Sequence, residues 1–382
     1  MESLLISLLA IFGGTVIIPP LARRLGLPVI VGELVFGIIL GVSFLDIVRS
    51  EEPTLEFFAS FGLVYLMFLA GLETDFISIF TEGDLGKVLA VSGASLILPF
   101  ASGAGISYMA DVHPLVLGTI FCTTSIGLIL PLLKEISSSR QFSQILVGSV
   151  TIVDIISIFL LAFVLALIGG SIGAELLYGL LFMVTLLIMP FIISRGKIRE
   201  KIEMKIVKEA HFDFEIRAAF ALIFLLAALS NFLGFHAIVG AFIAGLVVSE
   251  VIPKDPVEQK LQSFGYGFFI PLFFILVGSR VNLPVLFSNA RDIGLLVILI
   301  AVALTAKASG VVVVAKLIGL NRSESIALGI LHCARLSLII AVAEVSLELG
   351  LIGESIFASL VLLAIISGVV APALGKRILK KT

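Results

Sequence analysis

Apolar runs succeed one another along almost the whole chain, at 4–21, 29–48, 54–79, 87–109, 113–134, 141–168, 172–194, 212–232, 235–251, 261–279, 292–318, 323–348 and 353–377. A helix crosses the hydrocarbon of a bilayer in about 20 residues, so most of these runs are long enough to span it. A soluble chain of 382 residues would carry two or three domains. Here 59% of residues are hydrophobic, 14% are charged and the mean hydropathy is +1.23, which makes the bilayer the solvent. Lipid offers no hydrogen bonds to an open backbone, and the short alternating strands of a barrel are absent. The expected fold is therefore all-α and polytopic, with about thirteen transmembrane helices.

Lys and Arg sort by loop. Nineteen fall in one alternate set, among them Arg23, Arg24, Lys87, Lys134, Arg140, the cluster from Arg195 to Lys208, Lys316, Arg322 and the C-terminal Lys376 to Lys381. Only Arg49, Arg280 and Arg291 fall in the other set. Positive residues stay cytoplasmic, so the N-terminus is expected outside and the C-terminus inside, as an odd number of spans demands. The basic stretch 195–208 reads as a cytoplasmic linker between two halves. His211, Asp213 and Glu215 after it read as solvated caps of the next helix. The first run follows Met1-Glu2 without a basic segment and reads as a retained span, not a cleaved signal. Cys122 and Cys333 lie inside apolar runs as packing residues, with no disulfide expected. No phosphate-binding glycine loop, nucleic-acid signature, cofactor motif or hydrolase motif occurs, so neither an enzyme nor a nucleic-acid binder is expected.

Inside this apolar background a few polar groups stand out. Asp154 sits near the middle of the 141–168 run, and a carboxylate at that depth costs on the order of 2.5–3.5 kcal/mol to insert. Thr151 and Ser157, three residues to either side, extend a polar stripe along one helical face. Two runs are interrupted: 113–134 by Cys122-Thr123-Thr124-Ser125-Ile126-Gly127 and 323–348 by His332-Cys333-Ala334-Arg335-Leu336-Ser337. They are the fifth and twelfth runs, an odd offset, so the second is inverted relative to the first. This predicts an inverted repeat over roughly 29–194 and 212–377 with two discontinuous helices, the usual plan of secondary transporters.

Lys307, Arg335 and Glu344 also fall at membrane depth, with Glu73 and Glu33 nearer the span ends. A buried lysine requires compensation, and pairing with Asp154 is the economical expectation. Arg335 keeps its charge and requires a carboxylate or helix-end carbonyls. Asp154 and Glu73 are both open as its partner. A carboxylate in this setting can hold either a proton or a small cation. Thr123, Thr124, Ser125 and the unwound carbonyls around them can complete an oxygen shell. If the site opens to one side at a time, mutual exclusion becomes exchange.

Four segments carry a resemblance over essentially the whole chain. Gly32-Glu33-Leu34-Val35-Phe36-Gly37-Ile38-Ile39-Leu40-Gly41 resembles the second-span signature of the monovalent cation:proton antiporter-2 family, with its Kef-type and NapA-like members. Phe68-Leu69-Ala70-Gly71-Leu72-Glu73-Thr74-Asp75, Gly240-Ala241-Phe242-Ile243-Ala244-Gly245-Leu246 and Pro271-Leu272-Phe273-Phe274-Ile275-Leu276-Val277-Gly278 are similar to its third, ninth and tenth spans. The resemblance implies a homodimer of thirteen-helix protomers, an elevator-like core with two crossing broken helices, Asp154 as the ion-binding aspartate and Lys307 as the core lysine. Val153 stands where the family often has a second carboxylate or an asparagine, and Leu336-Ser337 where it commonly has Gly-Glu. Kef-type members usually continue into a nucleotide-binding domain; here a single transporter domain over 1–382 is expected.

The functional expectation is a cell-membrane antiporter exchanging Na+ or K+ for H+ at Asp154, with Thr123, Thr124, Ser125 and Thr151 as ligands. Lys307 and Arg335 compensate charge, and Glu73, Ser157 and Glu344 are secondary candidates. A Kef-like K+ efflux channel and a sodium-coupled organic anion symporter are the alternatives. The first needs a continuous pore. The second needs a roomy polar cavity, of which helices rich in Leu, Ile, Val and Phe give little sign.

Overall fold

A computed structural model of the chain describes residues 2–48, 52–74, 84–135, 138–168, 214–251 and 257–380. In chain order the helices are α1 (Glu2–Leu25), α2 (Val29–Leu40), α3 (Pro53–Leu72), α4 (Leu85–Ala110), α5 (Pro114–Cys122), α6 (Ile126–Glu135), α7 (Arg140–Ile168) and α8 (Phe214–Phe232). They continue as α9 (Ala237–Val251), α10 (Val257–Phe264), a π-helical turn (Gly265–Phe269), α11 (Ile270–Arg280) and the short α12 (Leu283–Ser288). The last four are α13 (Ala290–Leu317), α14 (Arg322–His332), α15 (Ser337–Glu348) and α16 (Glu354–Leu379). No strand occurs among the described residues.

Twelve of the expected spans correspond to these helices; the run 172–194 lies outside the described residues, as do the basic stretch 195–208, His211 and Asp213. Among the described residues ten spans, counting α5–α6, α10–α12 and α14–α15 as continuous crossings, are long and apolar enough to cross a membrane, and α2 and α9 are shorter apolar helices. The expected run 29–48 stops being helical at Leu40. Gly41 leaves the helix in an extended conformation, its N–H still on the Gly37 carbonyl, and the Val42 N–H then turns to the Ser279 carbonyl.

The chain divides into two compact units. The first is drawn from 1–56, 78–158 and 274–382 and contains both interrupted helices. Within it α4 packs on α5 and α13, α13 on α14, and α14, α15 and α6 on α16. Helix association in lipid rests on close van der Waals packing, and small residues permit it. A Cβ on Gly37 would lie 2.1 Å from the Ile275 carbonyl oxygen, and one on Gly41 2.1 Å from that of Ser279. The family-like second- and tenth-span segments are thus a contact between two backbones.

The second unit is drawn from 57–77 and 159–273. Here α8 packs on α9, and Phe61, Tyr65, Phe220, Phe264 and Phe269 form an aromatic cluster with ring centroids 4.5–6.4 Å apart. The Tyr65 hydroxyl is satisfied by the Leu261 carbonyl at 3.0 Å. Gly245 meets the Phe68 carbonyl oxygen where a Cβ would lie at 2.0 Å, so the third- and ninth-span segments are also a packing contact.

Candidate functional site

The first unit holds both helix breaks. At the first, α5 ends at Cys122 and α6 begins at Ile126, with Thr123-Thr124-Ser125 between them. At the second, α14 ends at His332 and α15 begins at Ser337. Each break leaves carbonyls of one half-helix and N–H groups of the next without helical partners, and these ends carry partial negative and positive charge respectively. What meets them determines the chemistry of the site.

Asp154, on α7, meets the positive end of α6. Its Oδ2 accepts the Ile126 N–H at 3.1 Å, and its Oδ1 accepts the Thr124 hydroxyl. Asp154 as a whole residue is intermediate in burial. Lys307, on α13 and fully buried, meets the negative end of α5: its Nζ donates to the carbonyls of Cys122 at 2.5 Å and Thr123 at 2.7 Å. The expected direct Asp154–Lys307 ion pair is therefore absent among the described residues. Each charge is instead met by the opposite pole of a half-helix, with a residual charge–charge attraction between the two side chains.

Arg335 departs further from expectation. It is fully buried, Nη2 donates to the Ala303 carbonyl at 3.0 Å, and the guanidinium lies 5.9 Å from the centre of the Phe121 ring. No carboxylate joins it, and Nε and Nη1 have no hydrogen-bond partner among the described residues. The Ala303 carbonyl lies one turn before Lys307, so the two cations crowd the same stretch of α13.

The remaining candidates scatter. Thr123 and Thr151 donate their hydroxyls to their own helices, onto Ile120 at 2.8 Å and Val147 at 2.8 Å, and the Thr123 carbonyl accepts from Lys307. Ser125 is buried in the link itself, and the buried Ser157 hydroxyl has no hydrogen-bond partner among the described residues. Glu344 lies away from the break on α15 and is paired with Arg280, at the end of α11. Glu73 belongs to the second unit and accepts from Tyr266 Oη at 3.1 Å and Gln262 Nε2 at 3.5 Å. Glu33 is buried on α2. Two features escaped sequence reasoning. Arg280 looked like a loop anchor, and His332, read only as part of an interruption, bridges Ser95 and Ser149.

The sequence profile described as "Sodium/hydrogen exchanger, transmembrane" matches residues 7–381. A Methanocaldococcus jannaschii protein named probable Na(+)/H(+) antiporter 3 is 31% identical over 372 residues, which cover 95% of this chain and 93% of the relative. The Na(+)/H(+)-K(+) antiporter GerN of Bacillus cereus is 26% identical over 363 residues, covering 93% and 91%. The solved structure of the sodium proton antiporter MjNhaP1 from Methanocaldococcus jannaschii aligns with a TM-score of 0.62 at 16% identity, over 100% of this chain and 98% of that one, a likeness of fold.

Proposed function

The chain belongs to the sodium/hydrogen exchanger family, and on that premise we propose that it exchanges Na+ or K+ for H+ by competition at Asp154. It is a multi-pass membrane protein of a transporter family. The observation that carries the reading is the clamp on Asp154: the Thr124 hydroxyl and Ile126 N–H hold the carboxylate at the first helix break. A carboxylate so held binds one positive species at a time. A proton occupies an oxygen lone pair that a desolvated alkali ion also needs, so loading one ion expels the other.

The Thr124 oxygen and the carbonyls of the link are the further oxygen ligands we assign to the cation, and Lys307 and Arg335 balance the charge when Asp154 is empty. Lys307 keeps its place through backbone carbonyls, so it can remain fixed while Asp154 changes occupant. The positive-inside distribution supports an outside N-terminus and a cytoplasmic C-terminus in the cell membrane. The two interrupted helices support inverted repeats over roughly 29–194 and 212–377, and the family resemblance supports a homodimer with an elevator-like core.

The test uses purified protein in liposomes enclosing a pH-sensitive dye. A proton gradient is imposed and Na+, K+, Li+ or choline is added in turn. Exchange predicts dye recovery with an alkali cation, none with choline, and loss of recovery in Asp154→Asn. Cation flux that proceeds without proton movement would replace this reading with a channel.

A further inference from the structure

His332 takes no part in the exchange chemistry above, yet it is buried at the end of α14 with both ring nitrogens engaged: Nε2 lies 2.9 Å from Ser149 Oγ on α7 and Nδ1 3.1 Å from Ser95 Oγ on α4. The hydrogen-bond pattern fixes its tautomer. Ser149 Oγ lies 2.6 Å from the Ile145 carbonyl and gives its one proton there, so it accepts from His332, and Nε2 carries the hydrogen. Nδ1 is then the acceptor, and Ser95, whose hydroxyl is free to donate, supplies it. In the neutral ring every donor of the triad faces an acceptor.

This triad joins the elements that hold the site. Ser149 precedes Asp154 by five residues on α7, about 7.5 Å along the helix. Ser92, one turn before Ser95, shares its one hydroxyl proton between the Val88 carbonyl of its own helix at 2.9 Å and the Ser149 carbonyl at 3.3 Å, a weaker second contact between α4 and α7. The next residue of α4, Leu96, accepts from Cys122 Sγ at 3.3 Å, at the first break. Beyond His332, the Cys333 thiol lies 3.4 Å from both the Gly329 carbonyl of its own helix and the Leu304 carbonyl, one turn before Lys307. The imidazole thus ties α14 to α4 and to the Asp154 helix, and its neighbours Cys333 and Leu96 extend the contacts to the Lys307 helix and the first break. Leucine would fill this space in an apolar crossing but would leave the Ser95 hydroxyl without its acceptor and take away the donor that the Ser149 hydroxyl accepts from.

We infer that His332 is a positioning residue for exchange, holding α7 and the second break in the register at which Asp154 meets the first break. The inference rests on the exchange reading. Loosening the triad lowers the fraction of protein in the binding-competent arrangement, and apparent affinity falls by that fraction while the step that follows binding is preserved.

The test compares wild type, His332→Leu and His332→Gln in liposomes, reading apparent KM and maximal rate for the best cation. A side-chain amide offers one donor and one acceptor group, as the neutral imidazole does. His332→Leu is expected to raise KM about tenfold or more with the maximal rate within about threefold, and His332→Gln to restore KM to within about threefold. The two native thiols, Cys122 and Cys333, flank the two breaks and report their closure independently of transport. Maleimide labelling should accelerate in His332→Leu and not in His332→Gln. If His332→Leu does not assemble, Ser149→Ala with Ser95→Ala carries the same measurements. Unchanged labelling, or faster labelling with KM unchanged, overturns the inference, as does a fall in rate alone that glutamine does not rescue. A wild type silent with every cation defeats the exchange reading itself and the inference with it.

Discussion

Lys307 and Asp154 share one five-residue stretch of backbone without touching each other: Nζ holds the carbonyls of Cys122 and Thr123, while the carboxylate takes the Thr124 hydroxyl and the Ile126 N–H. The positive side chain sits at the C-terminal pole of one half-helix and the negative one at the N-terminal pole of the next, where the backbone dipoles favour each. A direct ion pair would have to break each time a cation entered. In the exchange proposed above, Asp154 would change partners while Lys307 continues to hold the link.

Thr124 carries the first prediction. Its hydroxyl is bound to the carboxylate and its oxygen is available to a cation. Thr124→Val should raise the apparent KM for the transported cation about tenfold to a hundredfold, the equivalent of about 1.5–3 kcal/mol for a bond to a charged group. Thr124→Ser should stay near wild type. Flux titrations in liposomes decide it, and a Val variant with normal KM would remove Thr124 from the site.

Lys307→Met should destabilise the protein by about 1–3 kcal/mol, since two buried carbonyls lose their donor. Lys307→Arg should fail to restore stability, because a planar fork cannot reproduce a compact ammonium between two carbonyls. Thermal unfolding in detergent reads both. Full stability in the Met variant would show that water replaces the lysine there.

Arg280 and Glu344 form a pair whose carboxylate is nearly buried while Arg280 is about a fifth exposed, at 22%. Removing one partner of a buried pair costs about 3–5 kcal/mol, and the exposure of Arg280 places Arg280→Ala toward the lower end. Arg280→Met combined with Glu344→Gln should recover most of that loss. A double variant no better than the single would mean that Glu344 does not depend on Arg280.

His236, in the connection between α8 and α9, has its pKa lowered to about 4 by burial. The unfolded chain takes up a proton near pH 6.5, before the folded one does, so stability falls as pH drops from about 6.5 toward 4. His236→Gln should flatten that part of the profile. Unfolding midpoints between pH 4 and 7.5 test it, and an unchanged slope would assign the acid sensitivity to other groups.

The features legible in sequence were those that depend on residue type against an apolar background: the spans, the two interruptions, and Asp154, Lys307 and Arg335 as charges at depth. Their partners were not legible. Lys307 is bound by main-chain carbonyls, which every residue possesses, so no residue identity announces them. Arg280 fell among outer-loop anchors, and its partner Glu344 lies 64 residues away. The early end of α2 depends on Gly41 meeting Ser279, a contact between segments far apart in the chain. His332 was visible only as a polar residue beside a break, because serines on two other helices give it its role.

Competition at Asp154 is tested most directly by the cation KM of the wild type in liposomes, measured at successive pH values. A shared site predicts that KM rises with acidity, approaching about tenfold per pH unit, at constant maximal rate, because one proton excludes one cation. A KM independent of pH, with only the maximal rate changing, would place the proton and the cation at different sites.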